Sequence, residues 1–142
     1  MSRTISTHGE AETTAVGCEL AATLDAGAIV LLSGDLGAGK TAFVRGMAEG
    51  LGVDPGEVTS PTFTLIQDYR GGRLLLHHVD LYRLTPAEVD ELGLDEMTLD
   101  GGVTAIEWPD RLTRVWPDAV AIRIEHGDDN ERRITIGDVV PT

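Results

Sequence analysis

The chain has 142 residues, 42% of them hydrophobic and 25% charged, with a formal net charge of −13 and a pI near 4.5. This predicts one globular domain with a core of its own, and the acidic excess argues against direct, tight binding of RNA or DNA. The single cysteine, Cys18, excludes an internal disulfide and points to a reducing compartment.

The opening residues, "MSRTISTHGEAE", lack the apolar segment of a secretion signal. The longest apolar run, Ala28 to Leu32, is far too short to span a membrane. A cytoplasmic protein with no membrane association is expected.

Arg3 to Thr7 reads as a short strand. In "GEAETTAVGCELAATLDAG", Val16, Leu20 and Leu24 recur every four residues, which predicts an amphipathic helix stopped at Gly27. "AIVLLSG" is a continuous apolar run bounded by glycine, the pattern of a strand buried on both faces of a parallel sheet. After a glycine-rich turn, Phe43, Met47 and Leu51 predict a second helix ending at Gly52. "TFTLIQDYR" and "RLLLHHVD" flank Gly71-Gly72 and predict an antiparallel hairpin. Its neighbouring histidines, His77 and His78, fall on opposite faces, which predicts one in the core and one at the surface.

"TPAEVDELGLDEMTLDGG" predicts one or two short acidic helices, the first opened by Thr85 and Pro86. "GVTAIEW" is another buried strand, and "AVAIRIEHGDDNERRITIGD" a second hairpin turning near Asp128 to Asn130. Together with the glycine-turn motif "GDLGAGKT" at Gly34 to Thr41, the outline is an α/β, P-loop NTPase three-layer sandwich, with a mixed, mostly parallel central sheet and antiparallel edge hairpins.

The turn between the first buried strand and the second helix carries the chemistry. Gly34 to Thr41, "GDLGAGKT", matches G-x-x-x-x-G-K-S/T in the strand-to-helix setting that the motif needs. Glycines let successive N–H groups point into one concavity, which phosphate oxygens fill at the positive end of the helix. The pattern assigns Lys40 to the β/γ-phosphates and the Thr41 hydroxyl to Mg²⁺. Ten of the eleven Lys and Arg residues are arginine, and the only lysine stands here. A compact ammonium fits inside the curl of such a loop, whereas a forked guanidinium does not.

A magnesium site beside a P-loop needs a carboxylate at another strand's end. Asp80 ends "LLLHHVD" and Glu107 ends "VTAIE", so both fall at the carboxyl ends of strands, where open α/β sheets bind ligands. Thr62, in "TSPTFT", is a further candidate for the metal shell.

"SGDLGAGKT", "TSPTFTL", "HVDLYRL", "ELGLDE" and "IEWPDRL", in this order, closely resemble the TsaE family. The resemblance runs from about Glu10 to the last strand. It implies a small ATPase that binds ATP and Mg²⁺, hydrolyses ATP slowly, and supports threonylcarbamoyladenosine formation on tRNA. It also implies partners, the TsaD and TsaB subunits of the transferase complex, through which tRNA is reached only indirectly. The ATP cycle would reset that complex between turnovers.

By the same resemblance, Gly37, Ala38, Gly39, Lys40, Thr41 and Ala42 hold the phosphates. Thr41, Thr62, Asp80 and Glu107 surround the metal, and Lys40, Asp80 and Glu107 serve hydrolysis. Trp108 matches the tryptophan of the family's "EW" motif. Glu10 or Thr13 contacts the nucleotide from the N-terminal segment, and Arg132 rather than Arg133 contacts it from the last hairpin.

A small-molecule kinase would share the P-loop but need an acceptor pocket and usually a mobile arginine-bearing lid, for which no insertion is evident. A guanine-specific switch needs Asn-Lys-x-Asp in most cases, and the only lysine is already in the P-loop. A non-catalytic binding module that uses ATP only to fold or dock is not distinguished by sequence.

Overall fold

A computed structural model describes residues 3–34, 39–54, 66–112, 116 and 118–138. Its frame is a seven-stranded sheet in the order β1-β7-β6-β2-β5-β4-β3. The strands are β1 (Arg3–His8), β2 (Ile29–Gly34), β3 (Ile66–Tyr69), β4 (Leu76–Asp80), β5 (Val103–Glu107), β6 (Val120–His126) and β7 (Glu131–Asp138). The four central strands, β6, β2, β5 and β4, run parallel. β3 pairs antiparallel with β4, β7 with β6, and β1 with β7. Both hairpins and the parallel centre therefore match the expectation. The first part of "TFTLIQDYR" lies outside the described residues.

The central strands are apolar on both faces because both are covered. Val30 and Leu32 point to a core shared with α1 (Glu10–Ala22) and α2 (Lys40–Gly50). Val79 and Ile106 point the other way, into a smaller core with Val89, Leu94 and Trp116. α3 (Pro86–Asp90) and α4 (Leu94–Met97) lie on that second side. α3 opens with a capping box, in which Thr85 Oγ1 accepts from Glu88 N (3.3 Å) and Glu88 Oε1 accepts from Thr85 N (3.0 Å).

Phe43, Met47 and Leu51 are 0–1% exposed, as their spacing predicts. Each contributes about 1.5–3 kcal/mol of burial. α1 ends at Ala22, earlier than the glycine stop at Gly27 suggests. Thr23 takes the C-cap position and its hydroxyl donates to Leu20 O (2.7 Å), while Leu24 is buried beyond the helix.

The histidine expectation needs correcting. His77 and His78 do lie on opposite faces, but both are buried, because β4 is covered on both sides. His77 Nδ1 meets Asp68 Oδ1 on β3 at 2.6 Å, and its Nε2 meets Asp100 Oδ2 before β5 at 2.5 Å. This clamp ties the edge strand and the β5 approach to β4.

α1 and α2 meet backbone to backbone. A Cβ at Gly46 would lie 1.9 Å from Thr14 O, one at Gly17 2.3 Å from Phe43 O, and one at Gly50 2.4 Å from Cys18 O. Gly46→Ala gains about 1 kcal/mol of helix propensity. It also forces a methyl into a rigid carbonyl, and overpacking of this kind costs about 1–3 kcal/mol or more. The steric term wins, because no flexible side chain can move aside. Denaturant unfolding of Gly46→Ala is expected to show a net loss of about 1–2 kcal/mol. A midpoint at or above wild type would rule out this contact.

Candidate nucleotide-binding site

The site forms where β2 hands over to α2. Gly34, the last residue of β2, has φ 139°, and a Cβ there would lie 2.1 Å from Ile124 O on β6. Only glycine fits both conditions. Gly39, the N-cap of α2, has φ 104° and likewise opens the helix in a region that other residues avoid. The first-turn N–H groups of α2, which have no intrahelical acceptor, start there. Gly37, Ala38 and Thr62 lie outside the described residues.

A cleft of about 290 Å³ opens beside that turn. Gly39, Thr41 and Ala42 form one wall, and Glu10, Thr13 and Arg132 line it from elsewhere in the chain. Gly9 and Asn130, which the sequence did not single out, also line it. α1 carries Glu10 and Thr13 to this place. Thr14 Oγ1 donates to Ala42 O (3.3 Å), and Arg45 Nη1 donates to Glu10 Oε1 (2.5 Å). The Thr7 and Thr13 hydroxyls share a hydrogen bond of 2.9 Å, which ties β1 to α1. Arg132 arrives on β7, opposite Thr7 of β1. Arg133 is exposed on that strand.

Lys40 connects this cleft to the strand ends. It is 5% exposed. Its Nζ donates to Gly34 O (3.0 Å) and lies 3.9 Å from the centroid of the Trp108 ring. Trp108 adopts φ 62°, ψ 54°, a left-handed conformation rare for a bulky residue. Pro109 follows and would favour an extended backbone instead. Such a conformation costs about 1–3 kcal/mol and persists only where surrounding structure enforces it. Here Trp108 N donates to Leu32 O (3.2 Å), and the ring packs against Tyr82 with centroids 4.9 Å apart.

Asp80 and Glu107 are direct register partners at the ends of β4 and β5. By strand alternation they share the face that carries α1 and α2. Glu107 is 4% exposed and Asp80 is half-buried. Burial raises the Asp80 carboxyl above its ordinary value, and the charge of Glu107 adds to this. The Tyr82 N–H, bonded to Asp80 Oδ1 at 2.9 Å, and Lys40 pull the other way. His78 is fully buried, and its Nε2 lies 2.5 Å from Glu107 Oε2. Nothing in composition flagged His78. The available signal was its place two residues before Asp80, on the same face of the strand.

Carboxylates and a hydroxyl are hard oxygen donors, the set that suits magnesium rather than a softer metal. Among the described residues no three His, Cys, Asp or Glu side chains converge on one ion. Two carboxylates side by side at the strand ends fit an ion whose remaining ligands are phosphate and water oxygens. Among the described residues no helix is long and apolar enough to cross a membrane.

A parallel sheet centre with antiparallel edges, and a helix opening with Lys-Thr after β2, define a mixed α/β protein whose sequence carries the P-loop motif at that junction. The sequence profile of the family described as "Threonylcarbamoyl adenosine biosynthesis protein TsaE" matches residues 7–134. The chain belongs to the TsaE family.

Several relatives carry the name tRNA threonylcarbamoyladenosine biosynthesis protein TsaE. The one from Nostoc sp. is 41% identical over 139 residues, covering 89% of this chain and 85% of its own. That of Bacillus subtilis is 44% identical over 125 residues, covering 87% and 78%. That of Synechocystis sp. is 49% identical over 104 residues, covering 70% of this chain and 65% of its own length. The crystal structure of Bacillus subtilis YdiB superposes with a TM-score of 0.80 at 37% identity, covering 99% of this chain and 87% of that one.

The raised Asp80 carboxyl makes a stability prediction. A group whose folded value lies above its unfolded one favours folding when protonated, and its charged form costs stability once the pH passes the folded value. Neutral Asp80→Asn keeps an acceptor for Tyr82 N. In EDTA at pH 7 its Tm is expected to exceed wild type by roughly 1–3 °C after allowance for solvent screening. The gain should vanish as the pH falls below the ordinary value of 3.8. A lower Tm at pH 7 would contradict this account.

Proposed function

We propose that the chain is an ATP-binding and slowly ATP-hydrolysing cytoplasmic subunit required for threonylcarbamoyladenosine modification of tRNA. In this reading it acts on the TsaD–TsaB transferase complex and permits repeated turnover. The observation that carries the nucleotide part is the placement of Lys40. Lys40 stands in sequence between Gly39 and Thr41, which line the cleft at the start of α2, and its buried ammonium acts on Asp80, whose register partner at the strand ends is Glu107. Family membership and the names of the relatives support the tRNA part.

In this reading, first-turn N–H groups of α2 and Lys40 hold the phosphates. Glu10, Thr13 and Arg132 border the outer part of the nucleotide. Thr41, Asp80 and Glu107 would hold magnesium, with Thr62 as a further ligand. Magnesium, when bound, supplies charge neutralisation on the β- and γ-phosphate oxygens. Lys40 already lies beside Gly34 O and the Trp108 ring, so it is buried and aimed before any phosphate arrives. The charge of −13 suits a subunit that approaches tRNA only through its partners.

Two experiments test this. Lys40→Ala is expected to abolish ATP binding. Glu107→Ala is expected to keep measurable binding while metal-dependent hydrolysis falls by about 100-fold or more, since a direct ligand should be worth at least what outer-shell partners are. Normal hydrolysis by Glu107→Ala would remove the role given to it. The decisive assay is threonylcarbamoylation of tRNA by TsaD–TsaB, with and without this chain and ATP. Multiple turnover should depend on both. Equal turnover without the chain would overturn the proposal.

A further inference from the structure

His78 is fully buried in β4, two residues before Asp80 and on the same face of the sheet. Its Nε2 lies 2.5 Å from Oε2 of Glu107 across the β4–β5 ladder. Its Nδ1 is buried and meets no hydrogen-bond partner among the described residues. These facts together choose the tautomer. A carboxylate only accepts, so Nε2–H must donate to Glu107. An N–H at Nδ1 would be a buried donor with no acceptor, costing about 1–3 kcal/mol, so that nitrogen is bare.

We infer that His78 is the positioning residue for Glu107. It occupies one carboxylate oxygen of Glu107 from beneath the site and fixes the rotamer, so that the other oxygen is presented to the metal shell. The role rests on the magnesium reading of Asp80 and Glu107 given above. Buried ligands are commonly oriented this way, by a partner that itself touches neither metal nor substrate. Here the orienting bond is stiff. Both residues sit in paired parallel strands, and His78 itself is packed with no exposure. His77 is excluded from this task, because it lies on the opposite face and both its ring nitrogens are engaged by Asp68 and Asp100.

The test separates a positioning role from a merely structural one. ATP affinity is measured by calorimetry in EDTA and across a magnesium titration, for the full chain and for His78→Leu and His78→Gln. Leucine fills similar volume without a donor. Glutamine can place an amide N–H near the position of Nε2. His78→Leu should raise the magnesium concentration for half-maximal effect about tenfold or more, with the loss concentrated in the magnesium response rather than in metal-free affinity. His78→Gln should restore it to within about threefold.

A folded His78→Leu with the wild-type magnesium response would overturn the inference, as would a glutamine variant as impaired as the leucine one. If ATP affinity of the unsubstituted chain ignores magnesium, the site reading itself falls and takes this role with it. Imidazole ¹⁵N spectra of the unsubstituted chain require no variant to fold. The Nε2-protonated tautomer supports the inference, and a protonated Nδ1 with a bare Nε2 overturns it.

Discussion

The site depends on how closely α1 can lie on α2. Gly17, Gly46 and Gly50 leave no side chain between the helices, and carbonyls of one helix occupy the space where methyl groups of the other would be. That approach sets the reach of the first turn of α1. Glu10 and Thr13 then stand across a narrow cleft from Gly39, Thr41 and Ala42. With side chains at those glycines the helices would separate, and the cleft would open into a groove too wide for both walls to touch one small ligand. A packing constraint between two helices thus sets how closely the two walls of the cleft face each other.

The second wall of the cleft is supplied by strand pairing rather than by the P-loop unit. β1 and β7 run antiparallel at the sheet edge, with Thr7 opposite Arg132 and His8 opposite Glu131. The Thr7–Thr13 hydrogen bond then couples that edge to α1. The beginning and the end of the described chain therefore meet beside the central strand–turn–helix. The inner part of the site has the opposite character. There the structure carries local costs, namely a left-handed Trp108 before a proline and an Asp80 carboxyl raised by burial and by Glu107. Departures from ordinary stability rules concentrated at one end of a sheet are the mark of a functional site. The neighbouring His77 shows the contrast. Facing the other way, it has a carboxylate at each ring nitrogen and holds strands together.

Much of this was legible because the determining signals are local. β2 is a run of β-branched and apolar residues, α2 repeats Phe43, Met47 and Leu51, and Asp129 at φ 51° makes the hairpin turn that the Asp-rich stretch announces. The positions of Lys40, Asp80 and Glu107 follow from where strands end. What was not legible depends on partners remote in sequence. The burial of His77 required knowing that β4 is covered on both faces. Asn130 enters the cleft only because β7 folds beside β1. Trp108 contradicts its own local signal, since a residue before proline is expected to be extended. The three glycines of the helix contact read as ordinary small residues until two helices are placed together.

The single lysine shows how these levels meet. Its ammonium sits between a carbonyl and an indole face with 5% exposure. A guanidinium there would bring five donors in a broad planar fork that a carbonyl and an indole face cannot satisfy. The compact charge can be held by Gly34 O and Trp108 without the loss of a paired group. That arrangement also bears on ligand binding. A charge already desolvated and aimed has paid much of the entropy of being placed, so an incoming phosphate gains from pre-organisation. The same phosphate must compete with the Gly34 carbonyl and the indole face for the ammonium. Affinity is then set by the difference between those interactions. Under the proposed ATP cycle such a balance favours release as well as binding, because an unopposed charge would hold the product as firmly as the substrate.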